Sequence, residues 1–221
     1  MTISVLLVED HQIVREGTRQ LLTQWNDIKV TGEAEDGLDA LAQAEILQPD
    51  VIVMDVRLPK MNGIEATRLI ANKMPNCKIL ILSAYDDDSY VFPLLEAGAS
   101  GYLLKSSSGS ELAEAIRSIM NGGTVLSPSI GTKLIHHLGI SEKKPGRDSS
   151  KNLTNRELEV LKSVARGQSN KIIAKELGIS IQTVQVHMRN IFSKLQIRSR
   201  SEALIYAVNN GLVIVEKDHE K

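Results

Sequence analysis

The chain of 221 residues has few features that would indicate a membrane or an oxidising compartment. It contains a single cysteine, Cys77, so an internal disulfide cannot form, and we interpret Cys77 as an ordinary packing residue. No apolar run approaches the roughly 18 residues that a membrane span requires. The N-terminus also lacks a basic stretch followed by an apolar one, which a signal peptide would need. We therefore expect a soluble, cytoplasmic protein.

The total charge of -1 conceals an uneven distribution of charged residues along the chain. Residues 1–125 contain 18 acidic and 10 basic side chains, whereas residues 151–210 contain 4 acidic and 10 basic ones. The first part is therefore acidic and the second basic. A basic second part indicates a polyanionic partner, most simply nucleic acid, although a solvated helix surface would give the same count. The length itself favours two domains.

Strand and helix patterns alternate over the first 120 residues. The predicted strands are Ile3–Val8, Ile28–Glu33, Val51–Met54, Lys78–Leu82 and Gly101–Leu104. The predicted helices are Gln12–Gln24, Gly37–Leu47, Ile64–Met74, Asp87–Ala97 and Ser110–Met120. Parallel strands need crossover connections, so this alternation predicts an α/β fold with a doubly wound, five-stranded parallel sheet.

A different composition begins after this alternating region. Ser127–Leu138 fits one short helix, and residues 139–151 are rich in Ser, Lys, Gly and Pro, which is typical of a mobile linker. The last 70 residues fit a small all-α domain of four helices, predicted at Arg156–Ala165, Asn170–Leu177, Ile181–Leu195 and Ser201–Asn209. The second and third helices are joined by a short turn, as in a helix-turn-helix. The predicted divisions are residues 1–122, a linker at 123–151, and residues 152–221.

Carboxylates follow two of the predicted strands at their carboxyl ends. Glu9 and Asp10 come after Ile3–Val8, and Asp55 comes after Val51–Met54. Ligands of open α/β sheets bind at this edge, so neighbouring strands would bring the three carboxylates to one pocket. Their mutual repulsion needs a proton or a divalent cation, and oxygen ligands favour Mg²⁺ over zinc.

The first part of the chain resembles the CheY-like receiver domains of two-component response regulators, from residue 1 to about residue 122. The resemblance depends on an ordered set of motifs at strand ends. These are Val8-Glu9-Asp10-His11, Met54-Asp55 with Leu58-Pro59 and Asn62-Gly63, Ser83-Ala84, and Gly101-Tyr102-Leu103-Leu104-Lys105.

This resemblance implies a role for each matching residue. Asp55 accepts a phosphoryl group from a sensor histidine kinase, and Lys105 pairs with the phosphoryl oxygens. Ser83 donates its hydroxyl to the same group, and Tyr102 swings inward as Ser83 moves. Mg²⁺ is held by Asp10, Asp55 and the backbone carbonyl of Arg57, with Glu9 acting through water. The protein is thus expected to signal rather than to act as an enzyme on other substrates.

The last part resembles the LuxR-type helix-turn-helix over residues 152–210. The matching motifs are Leu153-Thr154-Asn155-Arg156-Glu157, Glu159-Val160-Leu161, Ser169-Asn170-Lys171, Ile173-Ala174, Leu177-Gly178-Ile179-Ser180, Thr183-Val184, His187, Asn190-Ile191 and Lys194-Leu195. A receiver joined to this domain is typical of the NarL/FixJ class, whose members bind promoter DNA as phosphorylated homodimers. RNA polymerase is a further candidate partner.

The same resemblance assigns DNA contacts. Gln185, Val186 and Arg189 would face base edges, where Arg suits guanine, Gln suits adenine and Val can touch a thymine methyl group. Phosphate contacts are expected from Ser169, Asn170, Lys171, Thr183 and Lys194. Residues 202–208 would form the dimerisation helix. Gln185 could equally be a solvated helix residue. Leu204 is among the apolar residues expected to fill the core of this domain.

Two other classes of function fit parts of the sequence. Haloacid-dehalogenase-type phosphatases also use an aspartate after a strand, but they need a second aspartate two residues later, where this chain has Arg57. A helix-turn-helix can also serve protein contacts without DNA, which the basic charge of residues 151–210 disfavours. As a mechanism, we hypothesise that the unphosphorylated receiver covers helix 181–195 or holds the protein as a monomer.

Overall fold

A computed structural model describes residues 2–131, 133, 153–197, 199–210 and 212. The first domain is built on one sheet in which all neighbouring strands are parallel, in the order β2-β1-β3-β4-β5-β6. The strands are β1 (Ile3–Val8), β2 (Ile28–Ala34), β3 (Val51–Met54), β4 (Lys78–Ser83), β5 (Gly101–Leu104) and β6 (Val125–Leu126). The predicted doubly wound parallel sheet is confirmed, with one strand more than expected.

The additional strand lies in the segment that the sequence analysis treated as linker. Val125 and Leu126 pair with Gly101 and Tyr102 of β5, and residues 128–131 and 133 that follow are helical. Two residues are too few to show an alternating pattern, which is why the sequence did not predict β6. The remainder of the predicted helix after residue 133, with His136 and His137, and the predicted mobile linker at residues 139–151 lie outside the described residues.

Five helices cover the two faces of this sheet. They are α1 (Gln12–Thr23), α2 (Gly37–Leu47), α3 (Gly63–Lys73), α4 (Asp88–Glu96) and α5 (Gly109–Met120). Successive side chains of a strand point to opposite faces. Leu6 and Val8 of β1 accordingly pack with α2, α3 and α4, while Val5 and Leu7 pack with α1 and α5.

The only tryptophan of the chain, Trp25, packs against the α1 and α5 side of the sheet. Arg117 of α5 lies over the indole, with its guanidinium carbon 4.7 Å from the ring centre. The same guanidinium donates hydrogen bonds of 2.7 and 2.8 Å to the carboxylate of Asp27. These contacts fasten α5 to the loop between α1 and β2.

The second domain consists of helices. They are α6 (Asn155–Ala165), α7 (Asn170–Leu177), α8 (Ile181–Leu195) and α9 (Arg200–Asn209). A capping box formed by Thr154 and Glu157 is present at the start of α6. Gly178 ends α7 in the left-handed region at φ +64°, and Ser180 then caps α8 by accepting a hydrogen bond from the Thr183 backbone amide.

The two domains touch through α4 and α9. Leu204 and Ile205 of α9 pack against the core of the first domain, which also holds Ile130. Leu204 was expected to fill the core of its own domain, but it packs against the first domain instead. Ala203 and Ala207 occupy that position instead, because they lie on the inner face of α9. Among the described helices, none is long and apolar enough to cross a bilayer.

Candidate functional site

The strand order brings the predicted carboxylates together. β1 and β3 are neighbours with Val8 opposite Met54, so Glu9 and Asp55 leave the sheet side by side. The Asp55 backbone amide donates to the Val8 carbonyl at 2.9 Å, which continues the pairing one residue past the strand ends. The order β2-β1-β3 also places the direction change of the sheet at this position. Open α/β sheets bind ligands at such a point.

Lys105, which follows β5, joins the two buried carboxylates. Its ammonium lies 2.8 Å from an oxygen of Asp55 and 2.6 Å from an oxygen of Glu9. Burial lowers the pKa of Lys105, but the hydrogen bonds that its ammonium donates to Asp55 and Glu9 outweigh this effect, so the pKa is raised and the side chain stays charged. Lys105 was predicted to pair with phosphoryl oxygens on Asp55, and its ammonium lies beside the Asp55 carboxylate that would carry them.

Asp10 completes an acidic cluster with Glu9 and His11. The ligand atoms of these three residues lie within 4.8 Å of one another. His11 Nδ1 is 2.9 Å from an Asp10 oxygen and 3.2 Å from a Glu9 oxygen, and the hydrogen bond with Asp10 raises the His11 pKa. The Glu9 and Asp10 carboxylates supply oxygen donors of the kind that suits a hard cation such as Mg²⁺. Asp55 lies outside this cluster of ligand atoms and is joined to Glu9 through the Lys105 ammonium.

Ser83 and Tyr102 lie on the next two strands and are both fully buried. The Ser83 hydroxyl accepts a hydrogen bond of 3.1 Å from the Tyr85 backbone amide, and the Tyr102 hydroxyl donates to the Tyr85 carbonyl at 2.7 Å. Burial raises the pKa of Tyr102 to about 12, so the phenol remains a hydrogen-bond donor. Tyr102 was expected to swing inward during activation, but the structure already has it inside because this hydrogen bond holds it there.

Arg57 directs its side chain away from the carboxylates. The guanidinium carbon lies 4.3 Å from the centre of the Tyr85 ring, and one nitrogen donates to the Tyr85 hydroxyl at 2.8 Å. The Arg57 side chain is therefore engaged elsewhere, and only its backbone carbonyl could contribute to a cation site, which is the contact predicted from the sequence. The sequence analysis missed Tyr85, although its position two residues after Ser83 could have identified it.

A second candidate surface lies on α8. Val184, Met188, Ile191 and Leu195 face the core at helical spacing. The opposite face exposes Gln185, Val186 and Arg189, which are the three residues predicted to read bases. Val186 is 49 % exposed, and Ile172 and Ile181 are also exposed, at 46 % and 41 %.

The predicted phosphate contacts divide into two groups. Lys171 is exposed, and Ser169 and Thr183 are half-buried at the starts of α7 and α8. Lys194 instead donates to the buried Glu157 carboxylate at 2.6 Å. Asn170 is only 5 % exposed and accepts a hydrogen bond of 3.0 Å from Arg200. Lys171 and Lys194 are therefore exposed, although the Lys194 ammonium is engaged by Glu157, Ser169 and Thr183 are half-buried, and Asn170 is buried.

The first domain covers a different part of the second domain from the one hypothesised. The outer face of α8 is exposed, whereas α9 lies on α4. The turn after α5 also lies against Asn170, since a Cβ on Gly122 would collide with the Asn170 amide. The hypothesis that helix 181–195 is covered is wrong for this conformation, because the apolar residues Leu204 and Ile205 offer the better contact to α4.

Comparisons with known proteins support the same division of the chain. The model of the response regulator receiver domain matches residues 5–117, and that of bacterial regulatory proteins of the luxR family matches residues 151–207. The transcriptional regulatory protein LiaR of Bacillus subtilis is 43% identical over 211 residues, covering 96% of this chain and 99% of LiaR. The response regulator protein VraR of Staphylococcus aureus is 38% identical over 213 residues, covering 96% of this chain and 100% of VraR.

A solved structure agrees with these relatives over the full length. The crystal structure of the response regulator ChrA, from a heme-sensing two-component system, has 34% identity and a TM-score of 0.53 and covers 96% of this chain and 99% of ChrA. The acidic strand-end cluster with its lysine and the exposed face of α8 therefore occur in a known combination of domains. The chain belongs to the two-component response regulators that join a receiver domain to a LuxR-type DNA-binding domain and act in transcription regulation.

Proposed function

We propose that Asp55 accepts a phosphoryl group from the phosphohistidine of a sensor histidine kinase. The observation that carries this proposal is the buried Asp55 carboxylate, held 2.8 Å from the Lys105 ammonium at the direction change of the sheet. An Asp55 oxygen attacks phosphorus, the bond from phosphorus to the kinase imidazole breaks, and the imidazole leaves with the electron pair.

Four groups would hold Mg²⁺ beside this carboxylate: Asp10, Asp55, the Arg57 carbonyl, and Glu9 through water. All of them offer oxygen atoms, which this cation prefers. When bound, Mg²⁺ offsets the negative charge of the phosphoryl oxygens during transfer. Lys105 then moves part of its hydrogen bonding from Glu9 to the phosphoryl group, because its ammonium already lies between Glu9 and Asp55.

Ser83 and Tyr102 would carry the signal away from Asp55. The Ser83 hydroxyl turns towards the phosphoryl oxygens and gives up the hydrogen bond from the Tyr85 amide. Since Tyr102 is bonded to the Tyr85 carbonyl, the change reaches the loop before α4. Lys133 binds the same loop through the Asp86 carbonyl at 2.5 Å, so the signal can reach the segment after β6.

The second domain would place α8 in the DNA major groove. Gln185, Val186 and Arg189 are on its exposed face and can reach base edges, while Lys171, Ser169 and Thr183 can reach phosphates. Lys194 and Asn170, which the sequence analysis also assigned to phosphates, would need to leave Glu157 and Arg200 first. Bound in this way at a promoter, the protein could also touch RNA polymerase.

Phosphorylation would act by freeing α9. In the unphosphorylated protein, α9 is held against α4 and is not available to a second copy. Release of α9 allows a homodimer to form, and the dimer binds two half-sites on DNA. The acidic receiver and the basic second domain also attract each other, which favours the closed arrangement at low salt. This signalling would take place in the cytoplasm.

The test selects bound DNA from a random duplex pool. Three samples are compared: wild type with Mg²⁺ and beryllofluoride, wild type without the phosphoryl mimic, and Asp55→Asn with it. We expect an inverted-repeat motif from the first sample alone. A motif of equal strength in all three would show that Asp55 does not gate DNA binding. Failure to enrich any motif, with binding insensitive to salt between roughly 50 and 200 mM, would favour a helix-turn-helix used for protein contacts.

A further inference from the structure

Arg15 on α1 is a charged side chain that the proposed function does not use, yet it is buried beside the acidic cluster. Arg15 is only 8% exposed, whereas Glu16 and Arg19 on the same helix are exposed. Burying an arginine is costly unless several hydrogen bonds compensate. The partners of this guanidinium therefore indicate what it contributes.

The guanidinium of Arg15 donates hydrogen bonds to three acceptors at the edge of the sheet. Nη1 donates to the Glu9 backbone carbonyl at 2.6 Å, in a buried hydrogen bond. Nε donates to Glu33 at 3.2 Å, and Nη2 donates to Glu35 at 3.0 Å. Two of these contacts are ion pairs across the end of β2, but the shortest is directed at the peptide that links Glu9 to Asp10.

This arrangement fixes the backbone from which two of the acidic side chains project. The Glu9 amide donates to the Ala34 carbonyl at 3.0 Å, so both backbone groups of Glu9 have partners. These two hydrogen bonds restrain the backbone from which the Glu9 and Asp10 side chains project. Arg15 also lines the small cavity behind the cluster together with Glu9, Thr18 and Asp55.

We propose that Arg15 is a positioning residue for the cation site, acting through the Glu9 carbonyl to hold the Glu9 and Asp10 carboxylates in binding geometry. The proposal rests on the proposed function, because it assumes that these carboxylates bind Mg²⁺. Mg²⁺ requires near-ideal octahedral geometry. Residues that orient metal ligands typically contribute about 10- to 100-fold in metal affinity.

A purely structural role for Arg15 predicts a different result. Arg19 also pairs with Glu33, at 3.2 Å, and its side chain is 58% exposed, so α1 keeps an ion pair to β2 without Arg15. Arg19 thus provides a matched control, because it shares an acidic partner with Arg15 but makes no contact with Glu9 in the described hydrogen bonds. Lysine at position 15 would keep the charge but could not reach three acceptors in one plane.

The experiment titrates the full chain with Mn²⁺, as a spectroscopic stand-in for Mg²⁺, and follows free Mn²⁺ by electron paramagnetic resonance without any phosphodonor. Arg15→Met should weaken Mn²⁺ binding about 10-fold, Arg15→Lys should weaken it less, and Arg19→Met should leave it unchanged. In a parallel assay with a small phosphodonor, Arg15→Met should need more Mg²⁺ but recover most of the rate at saturation.

Unchanged Mn²⁺ affinity in both folded Arg15 variants would overturn the proposal, even if their melting temperatures fell. If Arg15→Met does not fold, the measurement on Arg15→Lys decides. Asp10→Asn separates this failure from failure of the proposed function. If Asp10→Asn binds Mn²⁺ as the wild type does, the cation site itself is misassigned and the role of Arg15 fails with it. If Asp10→Asn loses binding while both Arg15 variants keep it, only the role of Arg15 is wrong.

Discussion

At the scale of single residues, Lys105 balances the charge of the proposed phosphoryl-acceptor site. Its ammonium bonds both Asp55 and Glu9, whose side chains are 6% and 8% exposed. Two buried carboxylates without a cation repel each other and lack full solvation. Before a metal or a phosphoryl group binds, Lys105 provides a positive charge between the two carboxylates that offsets their repulsion.

Replacing Lys105 by methionine should expose this dependence. We expect the free energy of unfolding to fall by about 2 kcal/mol without Mg²⁺, because two buried acceptors lose a charged donor that is itself partly solvated. Added Mg²⁺ should raise the melting temperature of Lys105→Met more than that of the wild type, because the cation replaces the lost charge. Differential scanning calorimetry with and without Mg²⁺ measures both effects.

Lys60 offers a matched control for this prediction. It also pairs with a buried carboxylate, Asp36, but its side chain is 67% exposed and it makes no described contact with the acidic cluster. Lys60→Met should lower the free energy of unfolding much less than Lys105→Met does, because exposed ion pairs contribute little, and it should respond to Mg²⁺ as the wild type does. An equal Mg²⁺ response in both variants would contradict the role given to Lys105.

The site residues that could be predicted from the sequence are those that directly follow a predicted strand. Glu9, Asp10, Asp55 and Lys105 come directly after apolar runs, and a parallel sheet necessarily gathers such positions at one edge. Arg15 could not be found in the same way. The role of Arg15 depends on Glu33 and Glu35, whose approach to α1 follows from tertiary packing that no local pattern encodes.

At the scale of elements, helix bounds were predictable where capping signals are strong. α7 and α8 have the predicted ends, since Gly178 and Ser180 stop one helix and start the next. The inward face of α9 was not predictable, because Leu204, Ala203 and Ala207 all fit an apolar stripe and only the docking on α4 decides between them. Packing between domains therefore overrides a pattern that is locally ambiguous.

Glu157 connects two helices of the DNA-binding domain. Its carboxylate completes the capping box of α6 and accepts a hydrogen bond of 2.6 Å from Lys194 of α8. Burial would raise the pKa of Glu157, but the hydrogen bonds from Lys194 and Thr154 outweigh it and hold the pKa below the ordinary value of 4.5. The ionised form therefore stabilises the folded domain.

This depressed pKa predicts a loss of stability in acid. The contribution of Glu157 is complete above about pH 4.5, its value in the unfolded chain, and is lost as the pH falls through the lower folded-state pKa. Glu157→Gln should cost about 1 to 2 kcal/mol at pH 7, and the difference from the wild type should shrink as the pH falls below 4. Urea unfolding followed by far-ultraviolet circular dichroism measures this difference. Glu159→Gln is the control, because the Glu159 side chain is 54% exposed, and its free energy of unfolding should match that of the wild type at every pH. A difference between Glu157→Gln and the wild type that stays constant with pH would contradict the link between the Glu157 pKa and stability.

At the scale of the whole molecule, the receiver restrains the DNA-binding domain through α9 and Asn170 while leaving the outer face of α8 open. In the proposed mechanism, the protein is thus closed with respect to dimerisation although the residues proposed to read bases face solvent. Gly122 lies at the centre of this arrangement, because the turn that it forms at φ +75° rests on Asn170.

Gly122→Ala should open the molecule without altering α9. The added methyl group collides with the Asn170 amide, so we expect a larger radius of gyration in small-angle X-ray scattering and tighter DNA binding in the absence of a phosphoryl mimic. Gly167→Ala is the matched control: Gly167 has a similar φ of +73° but nothing within 4 Å of an added Cβ. It carries the same backbone strain without the collision. Equal scattering and DNA affinity for the two variants would show that the contact with Asn170 does not restrain the protein.

The position of Trp25 makes tryptophan fluorescence a probe of the first domain alone. It is the only indole in the chain and lies between α1 and the Arg117 guanidinium, on the receiver side. Tryptophan fluorescence excited near its red edge is therefore blind to melting of the helix-turn-helix, while far-ultraviolet dichroism records both domains. A denaturation in which the dichroic signal changes before the emission would show the DNA-binding domain unfolding on a receiver that is still intact, with no label and no truncated chain.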